Sequence, residues 1–368
     1  MERVAELRSK EPKKYWAALK RLRGGSKGFI KITADHSKKG RRLWKDIEIE
    51  EGMREVWKEK FVPPPQGIMH EDTERELEEF FEGSPDACIP YETADFSRLD
   101  PSCPYSRPIK PIDVYNTIYS FKNRAPGEDG ITRMHLRHIP RIVLVNLAHI
   151  YSAALALGYY PDNIKRAIMV FIPKPGKPHC DPSNYRPISL LSVVGKIYGK
   201  ILTLRLTIFL ADKKLNHPHQ YGFVQDRGTT HSLAMVYEYV ARQKTGTYEK
   251  RVTLVSRDIK GAFDRLDHRR VKYHFYDIGT PSVLCKALSS FLDDRMSRIR
   301  IVGVTGPPFQ LLAGSPQGAA PSAKLFTLVT RNAPVGKNIH YYNTHYADDC
   351  LQVVSTQGTN IQYHGKNI

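Results

Sequence analysis

Acidic side chains are in short supply in this 368-residue chain: 38 Asp and Glu stand against 56 Lys and Arg, a formal charge of +18. An imbalance of that size points to a polyanion as working partner, nucleic acid first and an anionic membrane second. Cysteine is scarce as well. Cys88, Cys103, Cys180, Cys285 and Cys350 are odd in number and form no Cys-x-x-Cys pair, which excludes a disulfide scaffold, a zinc knuckle and a thioredoxin-type redox centre. Such usage fits a reducing, intracellular compartment. No internal repeat and no low-complexity segment is present, so a solenoid is excluded. Long apolar runs are missing too. The one membrane suspect, Ile142 to Tyr160, is interrupted by Asn146, His149 and Ser152 and stopped by Gly158 and Pro161, as helices in soluble proteins are. The spacing predicts a buried helix there and no membrane partner. The first 25 residues mix Glu2, Glu6 and Glu11 with Lys and Arg around no apolar centre, so they make no secretory signal.

What is present is enough apolar sequence, 41%, for a sizeable core. The basic excess is uneven: residues 1–70 carry 18 basic and 10 acidic side chains, residues 71–100 carry 2 and 11, and +19 remains for 101–368. Residues 1–82 read as a basic helical arm followed by an acidic helix. Trp16, Leu19 and Leu22 mark one helical pattern, Val56, Trp57 and Phe61 a second, and Leu77, Phe80 and Phe81 the buried side of the acidic helix. Five prolines make 83–108 a linker, and from 109 onward helices alternate with short β-branched runs, the pattern of a compact α+β domain.

Three runs carry chemistry. Val252 to Val255 suit a strand, and Phe263, Leu266, Val271 and Phe275 predict a helix from Ala262 to Phe275, which leaves Asp258 at a strand end. A helix cap or a surface carboxylate would look the same. In the second run, extended-type residues flank Asp348 and Asp349 and predict a β-hairpin with both at its tip. Adjacent carboxylates repel, and stay ionised most easily around a divalent cation. Asp293-Asp294, beside Arg295, is a control that reads as a solvated turn. Gly314-Ser315-Pro316-Gln317-Gly318 forms the third run, a turn where backbone can approach a ligand and Gln317 can both donate and accept. Upstream, Val170 to Lys177 reads as strand and tight turn, with Asn184 to Ile188 as the return, so that Lys174 and Arg186 could clamp a triphosphate or simply be solvated.

In this order the runs resemble the reverse transcriptase of non-LTR retrotransposons, most closely the jockey-like LINE elements. Beyond the catalytic runs the resemblance includes Lys122 to Ile131, Pro173-Lys174-Pro175-Gly176-Lys177, Asn184 to Leu191 and Gln220-Tyr221-Gly222-Phe223. It covers roughly residues 109–355. It implies the fingers (109–250) and palm (251–368) of a right-hand polymerase, with an antiparallel palm sheet packed with helices and a helical arm in front. The implied activity is RNA-directed DNA polymerisation, with an RNA template, a DNA primer and deoxynucleoside triphosphates as partners. Residue by residue, the resemblance makes Asp258 and Asp348 ligands of two Mg²⁺ ions, replaceable by Mn²⁺, with Asp349 the neighbouring carboxylate. Phe263 matches the residue lying against the nucleotide sugar, Gln317 and Gly318 the loop supporting nucleotide and template, and Lys174 and Arg186 the residues that meet the triphosphate.

Departures from the pattern bear on activity. Pro321 and Lys324 stand at positions usually apolar, and Asn343, Thr344 and His345 occupy a strand that is normally hydrophobic. Both read as drift. The chain ends 19 residues after Asp349, before the family's thumb, and no endonuclease precedes the arm, which reads as a fragment. Two rivals follow. One is a decayed copy that binds nucleic acid without polymerising, and the other an RNA-dependent RNA polymerase, against which Phe263 and the Tyr-Ala-Asp-Asp run argue.

Overall fold

The computed structural model describes residues 46–63, 71–82, 94–122, 125–178, 181–245, 250–301, 304–335 and 341–356. The helical pattern around Trp16, the first part of the expected linker and the last twelve residues lie outside them. In chain order the elements begin with α1 (Asp46–Lys60), α2 (Glu71–Phe81), α3 (Pro111–Ser120), α4 (Arg133–Arg137), α5 (Arg141–Leu157) and α6 (Asp162–Lys165). The hairpin strands β1 (Ala167–Pro173) and β2 (Tyr185–Leu191) follow, then α7 (Val193–Asp212), α8 (Thr229–Lys244) and β3 (Arg251–Asp258). Next come α9 (His268–Asp277), α10 (Ser282–Leu292), β4 (Arg295–Ile301), β5 (Val304–Thr305) and β6 (Phe309–Leu311). The last are α11 (Ala320–Val329), β7 (Tyr341–Tyr346) and β8 (Asp349–Thr356).

Two compact units divide the chain, and they cut across the sequential boundaries that composition suggests. The smaller comprises Met1–Val56, Val170–Pro187 and Ile299–Pro307, the larger Trp57–Met169, Ile188–Arg298 and Pro308–Ile368. The sheet of order β2-β1-β4-β5, with β6 on β4, joins segments distant in sequence. Within the smaller unit the expected strand, turn and return are all present. Lys174 N–H donates to Asn184 O at 2.8 Å, and Lys177 N–H to Lys174 O at 3.3 Å.

The larger unit is built on α5, α7, α10 and α11. The suspect run forms the 17-residue α5, with Ala148, Tyr151 and Ala153 to Ala156 buried. Gly158 ends it in the left-handed region (φ 68°), where a residue without Cβ fits best. Among the described residues no helix is long and apolar enough to cross a membrane. Tyr151 stacks on Tyr198 at 5.1 Å, and its hydroxyl donates to Val194 O at 2.8 Å, as that of Tyr160 does to Gly195 O at 2.6 Å. These two buried phenols thus keep a partner. Leu99 and Ile109 join this core at 4% and 3% exposure, and Arg107 forms a two-pronged pair with Asp113 at 2.9 Å. The described end of the expected linker is therefore packed rather than free.

A separate three-stranded antiparallel sheet, β3-β8-β7, carries α8 on one face. Val236 of α8 packs with Tyr342 and Val353, and Ser232 shares a 2.9 Å hydrogen bond with Thr344. The departures in β7 are thus partly accommodated, since Asn343 Nδ2 also donates to Pro334 O at 3.1 Å. Pro321 lies in the first turn of α11, where its missing N–H is no loss.

Lys324 is the exception. It is 4% exposed and its Nζ has no hydrogen-bond partner among the described residues. Burial pushes its pKa down, because a desolvated ammonium prefers to lose its proton. Replacing it with Met should stabilise the chain by about 1–3 kcal/mol, the usual cost of an unsatisfied buried polar group. The measurement is the urea midpoint at constant slope; an unchanged or lowered midpoint would show that Lys324 is satisfied.

Candidate active site

β3 ends on Asp258 and β8 begins on Asp349, and the antiparallel register sets these two residues directly opposite each other. One step on, Ile259 N–H donates to the Asp348 carbonyl at 3.3 Å. Opposed residues of such a ladder have Cα atoms roughly 4.5–5.5 Å apart and side chains on the same face. Three carboxylate-bearing residues thus gather at one end of the sheet, Asp258 and Asp349 exposed and Asp348 half-buried. The hairpin expected from sequence is present, with Asp348 in its two-residue loop and Asp349 already the first residue of β8. The control pair behaves differently. Asp293 ends α10 and pairs with Lys272 at 3.1 Å. Asp293 and Asp294 form a turn with Asp294 exposed, and Arg295 beside it is 1% exposed, its guanidinium donating to the carbonyls of Phe291 and Lys165.

Ala347, which opens the loop, has φ 56°. Two-residue hairpin loops demand a positive φ there, and Ala in that region is strained by roughly 1 kcal/mol. A segment more than a hundred residues upstream holds it. Tyr221 N–H donates to His345 O at 2.8 Å, and His345 N–H to His219 O at 2.9 Å. Gln220, 3% exposed, accepts from Ala347 N–H at 2.9 Å and Gly222 N–H at 2.8 Å and donates to Ala347 O at 3.3 Å. Arg227 Nη1 in turn donates to the carbonyls of His217, Pro218 and Gln220 at 2.9, 2.8 and 2.9 Å. These residues were legible only as the block from Gln220 to Phe223; nothing in their spacing assigns them to the hairpin.

The segment after Asp258 departs from the expected helix. Residues 260–265 form turns and α9 starts at His268, because Asp267 caps it by accepting from Arg269 N–H at 3.0 Å. Phe263 therefore sits in a turn, half-buried between Phe223 (ring centroids 6.1 Å apart) and Phe326 (5.6 Å). The glycine-rich loop docks on that turn. Ser315 N–H donates to Phe263 O at 2.8 Å, Gly314 N–H to Leu266 O at 2.9 Å, and Gln317 Nε2 to Asp264 at 3.1 Å. Gln317 O also accepts from Ser189 N–H at 3.0 Å, and Gly318 beside it is exposed. Asp258, Phe263, Gln317 and Gly318 thus belong to connected segments of the larger unit. Lys174 and Arg186 belong to the smaller one, where Lys174 Nζ donates to Ser183 O at 2.9 Å and Arg186 is exposed.

Behind the hairpin His217 and His345 pack edge to face at 5.1 Å. Burial, then the neighbouring His217, pushes the His345 pKa down to about 4, and burial lowers that of His217. An unfolded histidine titrates near 6.5, so between these values the unfolded chain binds more protons than the folded one. Stability should accordingly fall as the pH drops from about 6.5 towards 4 and stay level above 7. Urea midpoints at pH 7 and 5 measure it, and His345→Phe should flatten the difference.

Among the described residues no three His, Cys, Asp or Glu side chains lie close enough to cage a metal ion. The donor chemistry nevertheless suits a hard cation. Mg²⁺ is commonly held through one or two carboxylates plus the phosphates of its substrate rather than by an all-protein cage, and the opposed acids offer oxygen donors at an exposed sheet end.

Comparison with known proteins adds the family. The model of "Reverse transcriptase (RNA-dependent DNA polymerase)" matches residues 172–367. A protein of Drosophila melanogaster described as a probable RNA-directed DNA polymerase from transposon BS is 29% identical over 283 residues, 73% of this chain and 30% of its own length. The RNA-directed DNA polymerase from mobile element jockey of the same fly is 31% identical over 212 residues, 57% of this chain and 23% of its own. The chain thus spans less than a third of either relative. A telomerase structure from Candida albicans aligns with a TM-score of 0.39 at 11% identity, over 53% of this chain and 39% of that one. With more than half of its length matched by that model, and with relatives among jockey-type elements, the chain belongs to the reverse transcriptase family, on its non-LTR retrotransposon side.

Proposed function

We propose that the chain carries the catalytic centre of an RNA-directed DNA polymerase that extends a DNA primer on an RNA template with deoxynucleoside triphosphates. The observation that carries this reading is the register that opposes Asp258 to Asp349 and bonds Ile259 to Asp348. In this reading β3, β8 and β7 are the palm sheet and the β1–β2 hairpin belongs to the fingers. Asp258 and Asp348 hold two Mg²⁺ ions, or Mn²⁺ in their place, with Asp349 adding charge beside them. Bound there, such cations would supply charge neutralisation for phosphoryl transfer. The residues of the chain do the positioning. Phe263, wedged between Phe223 and Phe326, lies against the sugar, Gln317 and Gly318 support nucleotide and template, and Lys174 and Arg186 meet the triphosphate. The compartment proposed is intracellular.

Primer extension on an RNA template tests the reading: deoxynucleotides should be incorporated and ribonucleotides excluded. Extension on RNA with ribonucleotides alone would instead favour an RNA-dependent RNA polymerase. Phe263→Val should open space beside the 2′ carbon and raise ribonucleotide incorporation relative to deoxynucleotide by about tenfold, the discrimination one steric contact can supply. An unchanged ratio with a lowered melting temperature would make Phe263 a packing residue only. A second reading, a nucleic-acid-binding copy without turnover, is favoured by the unpartnered Nζ of Lys324 in the core. It predicts salt-sensitive binding of RNA and DNA with extension at background.

A further inference from the structure

We propose that Gln220 is the positioning residue that presets the Ala347–Asp348 loop for cation binding. The inference rests on the reading of Asp258 and Asp348 as cation ligands and names what keeps one of them in place. The Gln220 amide engages both polar groups of Ala347, its N–H at 2.9 Å and its carbonyl at 3.3 Å. These belong to the two peptide units that flank Ala347, so one side chain fixes the orientation of both. The second unit is the one that leads into Asp348, and its plane sets the direction in which the Asp348 side chain leaves the backbone. Without that hold the two-residue loop would carry a strained residue, φ 56°, with its backbone groups unfixed, and strained backbone persists only where its surroundings over-determine it.

Gln220 is itself held on several sides. It is 3% exposed, its Oε1 also accepts from Gly222 N–H at 2.8 Å, and its own carbonyl accepts from Arg227 at 2.9 Å. Its neighbours Tyr221 and His219 exchange backbone hydrogen bonds with His345. A buried glutamine serving only the core would bond wherever an acceptor or donor lay nearest. All three side-chain bonds here instead go to the loop and to the residue against it. That geometry gives Gln220 no path to substrate; its action runs through Asp348.

The test uses the 368-residue chain with Mn²⁺ alone as probe, read by electron paramagnetic resonance, and amide hydrogen exchange over residues 345–350. Gln220→Met keeps the length and removes all three bonds. It should weaken Mn²⁺ binding at least tenfold and speed exchange at Ala347 at least tenfold, with exchange in α5 and α7 unchanged. Gln220→Glu retains the acceptor for both N–H groups and loses the donation to Ala347 O, so it should keep slow exchange at Ala347 and lose less Mn²⁺ affinity. Asp348→Asn separates the two layers of the argument. Undiminished Mn²⁺ binding in that variant would sink the reading of the acids, whatever Gln220 does. Loss of binding in Asp348→Asn with both readouts unchanged in Gln220→Met would overturn the positioning role alone. Loss of protection in α5 and α7 in both Gln220 variants would make Gln220 a strut of the whole unit and overturn the proposal as well.

Discussion

Asp348→Asn should lower the rate of nucleotide addition by roughly a thousandfold. The substitution keeps the shape of the side chain and removes its negative charge. Cation-mediated stabilisation of a phosphoryl-transfer transition state amounts to several kcal/mol, and each 1.36 kcal/mol is about a factor of ten in rate. Asp258→Asn should have a comparable effect. Because the two act on one site, the double variant should be little worse than either single one. Single-turnover extension on an RNA template, alongside template-primer binding, reads both quantities, and binding should stay within about twofold because phosphate contacts supply most of it. Additive losses, or a rate within about threefold of the parent, would remove Asp258 and Asp348 from the chemistry even though Asp258 faces Asp349 across the ladder and Ile259 N–H bonds Asp348 O.

Gly222→Ala should also lower the rate strongly, by a different route. A Cβ on Gly222 would lie 2.1 Å from Ala347 N and 2.8 Å from Ala347 Cα, and both are backbone atoms that cannot swing aside. Relief requires the loop or the upstream segment to move, and forced overpacking of this kind costs about 1–3 kcal/mol in stability. The larger consequence is geometric. Ala347 precedes Asp348, and a misplacement of about 1 Å in a reacting constellation can cost on the order of a hundredfold in rate. The expected result is a modest shift in urea midpoint with a loss of activity well beyond the loss of folded chain. Activity that falls only in proportion to the folded fraction would show that the close approach serves packing alone.

Much of this site is legible in sequence because its parts are local. The strand-type run from Val252 to Val255 before Asp258, extended residues on both sides of Asp348-Asp349, and the small residues from Gly314 to Gly318 each announce strand, hairpin or turn within a few residues. The buried helix α5 is legible for the same reason, since Gly158 stops it locally. The helix after Asp258 is misjudged at its start. Phe263 and Leu266 fit a helical spacing, but Asp267 caps the chain later by bonding Arg269 N–H, and a cap decides a boundary that periodicity leaves open.

Composition and local pattern by themselves determined the basic excess, the α+β class and the placement of the three acids at a strand end and a hairpin, and the order of the motifs carried the family resemblance. Only tertiary structure decided what those pieces touch. Asp258 meets Asp349 across a ladder, Gln220 reaches Ala347 across 127 residues, and Gln317 joins the turn of Phe263 to Ser189. The buried amine of Lys324 becomes an anomaly only once α11 is packed. The physical reason is the same in each case. Periodicity encodes which face of an element is apolar, whereas strand register and side-chain hydrogen bonds between distant segments are set by packing of the whole unit, which no window of neighbouring residues contains.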